Sequence, residues 1–457
     1  MTHSSSALGE LVGEGRLLEP ESIAGRATSY WNSAPMQARA LVLPGTTDEV
    51  AGILKHCNES GQSVITQGGL TNCVQAVEPN GDDIVLSTEK MTGIVDIDKV
   101  GGTAVVEAGA VLQTVQEAVA KEGFCFPLDL GARGSCTIGG NIATNAGGIN
   151  VLRYGMMRNL VLGLEAVMAD GTVMSSMNQM LKNNAGYDMK QVFIGSEGTL
   201  GVVTRAVLRL FPKPASRQDA LVAMDSIDSV IGFLGKLQRE LAGNLSAFEI
   251  MWGAYYRAVT GENGHRPPLS RDYPFYVVFQ AEGSDPEVDD ARFERVLGDA
   301  LEEGLISDAV IPKSATETRA IWEIREDFEP ALVKPPFYLY DVSLPIRDMA
   351  AYVSTVEENV ARRWSDGMCL ALGHMADGNL HFFVSPGEEG DHHAASDACV
   401  YEPLRQYGGS ISAEHGIGLE KISWLPHSKS AEEIQMMRVL KHSLDPNNIL
   451  NPGRVLP

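Results

Sequence analysis

The stretch GHMADGNLH, residues 373–381, sets His374 and His381 on either side of Asp377-Gly378, in a chain with only ten histidines. Two imidazoles that reach one ion make a partial transition-metal site. Asp-Gly signals a two-residue hairpin turn, because both turn positions need positive φ. Counting outward pairs Ala376 with Asn379, Met375 with Leu380 and His374 with His381. The two rings are then expected directly opposite one another on one face, with Cβ atoms about 5 Å apart. The plainer alternative is a solvated hairpin with two incidental histidines. A metal site needs a third ligand, which this stretch does not supply.

Three glycine-rich loops form the second chemical signal: QGGLTN (67–72), GSCTIGGNIATNAGG (134–148) and GSEGTLG (195–201). Glycines and small residues let backbone N–H groups close on an anion, forming nests that bind pyrophosphate. The usual nucleotide fingerprints, G-x-G-x-x-G opening a helix and G-x-x-x-x-G-K-[ST], are absent. Any one of the loops reads as an ordinary turn. Three in one region point to a large phosphate-bearing cofactor.

Elements able to position these residues follow from pattern. ALVLPG reads as a strand, and Thr46 with Glu49 forms a capping box ahead of the helical run VAGILKHCN. SVIT, DIVLS, GIVDID and TAVVEAG read as further strands, and VLQTVQEAVAKEG as a helix closed by Gly123. After FPKPAS (211–216) the character changes. Long amphipathic helices (DSVIGFLGKLQREL, PEVDDARFERVLGDALEEG) alternate with strands (FYVVFQAEG, FYLYDVSLP, LHFFVSP), which predicts an α+β domain with an antiparallel sheet. At 457 residues the chain is long enough for two or three domains.

Charge and cysteine usage narrow the partners. A formal charge of −23 disfavours nucleic acid and anionic membrane. No apolar run reaches the roughly 18 residues of a membrane span. Six cysteines without a CxxC or a regular spacing suggest reduced thiols and a cytoplasmic setting. The N-terminus, with three glutamates and one arginine in its first twenty residues, resembles neither a secretory signal nor a basic transit peptide.

The longer motifs carry a family resemblance. PLDLGARGSCTIGGNIATNAGG (127–148), RYG (153–155), NNAGYDMKQVFIGSEGTLGVVT (183–204) and DPNNILNPG (445–453) closely resemble the FAD-linked D-2-hydroxyglutarate dehydrogenases of the vanillyl-alcohol-oxidase superfamily. The resemblance runs from about Leu43 to the C-terminus. It implies an α+β protein: a PCMH-type FAD-binding domain of two α/β subdomains at 35–213, after an N-terminal segment at 1–34. A substrate (cap) domain with an antiparallel sheet follows at 214–410, and a segment at 411–457 returns to the flavin.

By position, the resemblance assigns Gln67, Gly68, Gly69, Thr71 and Asn72 to the pyrophosphate loop. It assigns Pro127, Gly131, Gly134, Ser135, Gly139, Gly140, Asn141, Thr144, Asn145 and Gly148 to the cofactor lining. Glu197, Gly198, Thr199, Gly201 and Val202 fall toward the adenine end and ribityl chain, and Asn451 toward the ring. The first loop departs from the family's GGNTG, with Leu70 and Asn72 substituted. In relatives the histidine hairpin carries a divalent metal, usually zinc (manganese is the alternative), and the SISAEHGIG segment supplies the third ligand. That implies His374, His381 and Glu414 as ligands and His415 as general base. Asn379 is assigned to the substrate carboxylate or to support of the metal shell.

For the substrate's other end, relatives combine Arg, Thr and Lys. Here those positions hold Arg325, Glu329 and Leu339, which should disfavour a second carboxylate and relatively favour D-lactate-like acids. The implied activity is oxidation of a D-2-hydroxy acid by non-covalent FAD. Electrons then pass to an electron-transfer flavoprotein, quinone or cytochrome, and a homodimer is compatible with this reading. Two alternatives stay open: an O₂-using oxidase, which would need no metal, and a non-catalytic flavin subunit, which could lose these ligands.

Overall fold

The computed structural model describes residues 2–262 and 264–456. They divide into two compact units. The first comprises the residues up to Gly147, Gly155–Lys213 and those from Glu414 onward; the second comprises Gly148–Tyr154 and Pro214–Ala413. The sequence reading set 148–154 with the first domain. In the structure this segment belongs to the second unit, where Arg153 Nη1 donates to the Glu282 carbonyl (2.8 Å) and the Tyr154 hydroxyl to the Glu282 carboxylate (2.9 Å).

In the first unit, β1 (Leu17–Leu18), β2 (Ala40–Val42), β3 (Val64–Gln67) and β4 (Ile84–Ser87) form a sheet in the order β1-β2-β4-β3. β2, β4 and β3 run parallel. β2 and β4 are buried along their whole length, as parallel strands covered on both faces must be. The helix Thr47–Ser60 begins where the Thr46 side chain accepts the Glu49 N–H and ends at Gly61, φ 66°. It buries Val50, Ile53, Leu54 and Cys57, one stripe at helical spacing. The next strands are β5 (Ile94–Asp98), β6 (Thr103–Glu107), β7 (Phe124–Cys125), β8 (Val161–Val167), β9 (Val173–Ser176), β10 (Val202–Arg209) and β11 (Phe211–Pro212). Five of these make an antiparallel sheet, β5-β6-β10-β8-β9, and β7 pairs with β11.

The second unit carries β12 (Ser216–Met224), β13 (Leu245–Trp252), β14 (Phe275–Gly283), β15 (Asp308–Val310), β16 (Tyr338–Ser343), β17 (Met368–His374) and β18 (Asn379–Ser385). They form one antiparallel sheet in the order β15-β12-β14-β13-β17-β18-β16. Aromatic contacts show which face the helices cover. Phe233, on helix Ile227–Glu240, meets Phe248 and Phe279; Tyr352, on helix Met349–Arg363, meets Phe382; Tyr401, on helix His393–Leu404, meets Tyr340. Adjacent residues on a strand point to opposite faces. Glu249, His381 and Asp341, the neighbours of Phe248, Phe382 and Tyr340, therefore share the other face. There the helix Ala315–Glu326 packs through Ile321, Trp322 and Ile324 onto an apolar cluster that includes Leu372 and Phe383. Among the described residues all six cysteines are free, and no helix is long and apolar enough to cross a membrane.

Candidate active site

The histidine hairpin forms, but not in the expected register. Leu372, not His374, stands opposite His381. The connection is a 3-10 turn, Met375–Asp377, closed by Gly378 at φ 89°, and Asp377 stays outside the left-handed region. One local and one tertiary contact favour this longer loop: the Asp377 carboxylate accepts the Asn379 N–H (3.2 Å), and the Gly378 carbonyl accepts the Leu344 N–H (3.0 Å). The histidines become a diagonal pair on the same face, with ring centroids 5.3 Å apart and planes at 82°. Gly373 beside them permits the close strand approach, since a Cβ there would lie 2.3 Å from the Asn379 carbonyl oxygen.

Each histidine meets a buried carboxylate that the sequence reading missed. Glu249, directly opposite His374 on β13, accepts from His374 Nδ1 at 2.7 Å through Oε1. Its other oxygen accepts from Arg325 Nε at 2.9 Å. Burial opposes ionisation of Glu249, yet the neighbouring His374 and Arg325 together hold its carboxyl below the usual range. Asp341, opposite His381 on β16, lies 3.8 Å from His381 Nδ1. It accepts from Asn379 Nδ2 (2.8 Å), Ala413 N–H (3.0 Å) and Ser412 Oγ (3.3 Å). Ser343 and Ser410 exchange backbone bonds at 3.0 and 2.7 Å, tying this segment to the edge strand β16. A signal for both acids was present: each is the single charge in an apolar strand, LSAFEIMW and YLYDVS, where an isolated acid needs a reason.

Glu414 and His415 come next in the chain. His374, His381 and Glu414 offer ligand atoms that all lie within 4.8 Å of one another, and so do Asp341, His381 and His415. Two imidazoles and a carboxylate suit zinc or manganese. The His374 Nδ1 contact to Glu249 is the outer support such ligands need, because it leaves Nε2 for the ion. Asn379 Oδ1, 3% exposed as a residue, is buried and takes no hydrogen bond from the described residues. The donor set fits a divalent metal.

The remaining substrate-side residues separate. Asn379 commits its N–H donors to Asp341 and to the Val342 carbonyl (2.9 Å), which makes it a support for Asp341. Arg325 is mostly buried and, among the described residues, shows no side-chain partner but Glu249. Leu339 faces the same side as Asp341, opposite Phe383, in the apolar cluster. Glu329 is exposed on a 3-10 turn, off the sheet.

The glycine-rich loops of the first unit pack on one another. A Cβ on Gly69 would lie 2.2 Å from the Ser135 carbonyl oxygen, and one on Gly68 2.5 Å from Thr137 Oγ1. A Cβ on Gly139 would lie 2.7 Å from that of Ala108, whereas Gly131 opens on free space. Leu70 holds φ 59°, a left-handed conformation that costs a non-glycine residue about 1–2 kcal/mol. Asn72 Oδ1 accepts the Val74 and Ala76 N–H groups, so the departed GGLTN sequence still builds a tight loop. Gln67 donates to the Val77 carbonyl, Asn141 to Cys136 Sγ and Thr144 to the Gly140 carbonyl, while Asn145, φ 50°, accepts the Arg158 N–H. These closely approaching backbones fit a pyrophosphate-bearing cofactor.

Two expected cofactor residues do another job visibly. The Glu197 carboxylate accepts the Ile417 (2.7 Å) and Gly418 (2.8 Å) N–H groups, anchoring the chain just past His415. Burial raises its pKa against those two bonds. Asn451 donates to the Glu197 carbonyl (2.7 Å) and accepts the Thr66 N–H (2.9 Å), joining three segments. Thr199 offers its carbonyl to Lys441, a Cβ on Gly198 would meet Asn451, one on Gly201 would meet Phe193, and Val202 opens β10. Pro127 and Ser135 lie in the first unit, and Gly148, φ 104°, opens the 148–154 segment of the second.

Comparison with known proteins shows the family and the fold. Residues 38–176 match the family described as FAD binding domain, and residues 213–455 that described as FAD linked oxidases, C-terminal domain. The chain is 39% identical over 451 residues to the mitochondrial D-2-hydroxyglutarate dehydrogenase of Bos taurus, covering 98% of this chain and 82% of that protein. It is 38% identical over 435 residues to the D-2-hydroxyglutarate dehydrogenase of Xanthomonas citri pv. viticola, covering 94% and 90%. Solved structures of p-cresol methylhydroxylase with substrate bound and of alkyldihydroxyacetonephosphate synthase each superpose with a TM-score of 0.76. Each covers 99% of this chain, with 96% and 84% of the other chain matched, and at 17% identity each speaks to the fold alone. The chain therefore belongs to the FAD-linked D-2-hydroxyglutarate dehydrogenase family of PCMH-type flavoproteins and is an FAD-dependent oxidoreductase.

Proposed function

We propose that this chain oxidises a D-2-hydroxy acid to the 2-oxo acid with non-covalent FAD and a divalent metal, zinc or manganese. The observation that carries the metal is the gathering of His374, His381 and Glu414 within 4.8 Å, with the His374 ring braced by Glu249. When bound, FAD supplies a two-electron hydride acceptor and the metal a Lewis acid that makes the substrate hydroxyl easier to deprotonate. His374, His381 and Glu414 hold the ion. His415, next in the chain, takes the hydroxyl proton, for which an imidazole is suited near neutral pH. Arg325 turns its terminal nitrogens to a substrate carboxylate. Asp341 and Glu197 hold the chain on either side of Glu414 and His415, which fixes base and ligand together. Cys73 Sγ is directed to the Thr71 carbonyl (3.7 Å), and the QGGLTN loop has no histidine, which supports a non-covalent flavin. The electrons leave to an acceptor other than NAD, such as an electron-transfer flavoprotein.

The test is metal content together with a panel of 2-hydroxy acids and an artificial dye acceptor. Chelation should abolish turnover and leave flavin bound, with zinc or manganese restoring it. Acid precipitation should release the yellow cofactor. Full turnover in metal-free protein would overturn the metal-assisted reading, and turnover of simple alcohols alone would favour an oxidase-like enzyme.

A further inference from the structure

Arg325, Glu249 and His374 form one continuous chain inside the second unit. Arg325 Nε donates to Glu249 Oε2 at 2.9 Å, and Oε1 takes His374 Nδ1 at 2.7 Å. Glu249 is 1% exposed, and its strand neighbours Phe248 and Ile250 are buried and apolar. An ionised carboxylate only accepts, so the shared proton sits on Nδ1 and the lone pair of His374 on Nε2. The same carboxylate takes Arg325 by its Nε side, and Nη1 and Nη2 show no partner among the described residues. A guanidinium held this way presents its end-on edge, which matches a carboxylate with two parallel bonds.

We propose that Glu249 is a positioning residue for two partners at once: it fixes the tautomer and ring orientation of a metal ligand, and it aims the arginine that takes the substrate carboxylate. The inference rests on the metal-assisted reading above. Register makes it possible, because β13 pairs directly with β17 and sets Glu249 opposite His374. The helix Ala315–Glu326 then delivers Arg325 from its last turn. A carboxylate present only to hold the sheet to that helix would need a single partner. This one divides its two oxygens between the two halves of the reaction site.

The experiment uses the full-length, FAD-loaded protein. Zinc affinity is read by competition with a chromophoric chelator, without turnover. Glu249→Gln should weaken zinc 10- to 100-fold, as losses of such supporting groups do, with flavin content and far-UV circular dichroism unchanged. At saturating zinc its KM for a 2-hydroxy acid should rise on the order of tenfold, while kcat falls less, because the guanidinium has lost its orientation. Glu249→Asp keeps the charge but withdraws it by about 1.5 Å, one carbon–carbon bond, and should fall between the two. Zinc affinity and KM of Glu249→Gln within twofold of the wild type would overturn the proposal. A measurement without any variant decides it independently if the variants do not fold: nitrogen-15 histidine spectra of the metal-free wild type should show His374 as the Nδ1–H form, and an Nε2–H form would overturn it. Wild-type protein that binds no zinc would instead overturn the metal-assisted reading, and this inference with it.

Discussion

Asparagine at position 341 should separate the anchoring of Glu414 and His415 from general stability. Asp341 is fully buried; one oxygen takes Asn379 Nδ2 at 2.8 Å, and the other takes Ala413 N–H at 3.0 Å and Ser412 Oγ at 3.3 Å. Asp341→Asn keeps the volume but turns one acceptor into an NH₂ group that faces donors. Hydrogen bonds to a charged group contribute about 1.5–3 kcal/mol each. Losing the pair at Ser412 and Ala413 gives a gross cost of about 3–6 kcal/mol, and rotation of Ser412 recovers part of it. A net loss of about 3–4 kcal/mol agrees with the range for removing one partner from a buried charged network. In a unit of about 200 residues that is a fall in Tm of roughly 6–15 °C. At a temperature where the variant is still folded, zinc affinity should fall about tenfold, because Ala413 immediately precedes Glu414. Calorimetry and chelator competition read the two effects separately. Asp397→Asn is the control: Asp397 accepts from Tyr340 (2.9 Å) on the helix-covered face, so its loss should cost stability and leave zinc affinity unchanged. An Asp341→Asn protein that melts early but binds zinc like the wild type would refute the anchoring argument. One that melts at the wild-type temperature would refute the energetics.

Three further outcomes are expected. Gly69→Ala should reduce flavin retention at least tenfold on dialysis, because its Cβ would be forced to 2.2 Å from the Ser135 carbonyl and would part the two loops; retention equal to wild type would show the loops yield freely. Leu339→Lys puts a cation on the Asp341 side of β16; for a distal carboxylate held at about 7 Å, the attraction at an effective dielectric of 20–40 is about 1–2.4 kcal/mol. The kcat/KM ratio of D-2-hydroxyglutarate to D-lactate should therefore rise about tenfold or more, and an unchanged ratio would show that position 339 does not face that group. Glu165 is raised by burial but brought down to about 2 by Arg205, Thr47 and Thr204. A depressed carboxylate stabilises above its unfolded pKa and loses that contribution as pH falls through its folded value. The urea midpoint should thus drop between about pH 4.5 and 2, and Glu165→Gln should flatten that part of the profile.

The sequence by itself determined what depends on neighbours along the chain. Thr46 capping its helix, Gly123 closing another, and the period-two runs of the second unit were legible because capping and strand burial are local. The two histidines, Glu414 and His415 were legible through motifs. Register was not: a single hydrogen bond from Leu344 to Gly378 and the Asp377 turn favoured a four-residue loop over the two-residue turn that Asp-Gly signals, making an opposed pair diagonal. Glu249 was not, because its partner His374 is 125 residues away and meets it only when β13 pairs with β17. Glu197 and Asn451 carried cofactor motifs, yet their polar atoms close on the backbone of Ile417, Gly418 and Thr66. A motif fixes which residue types recur at a site. Which of their atoms remain free for a ligand is decided by the long-range pairing that buries them, since the large majority of buried polar groups take a partner that the fold brings within reach.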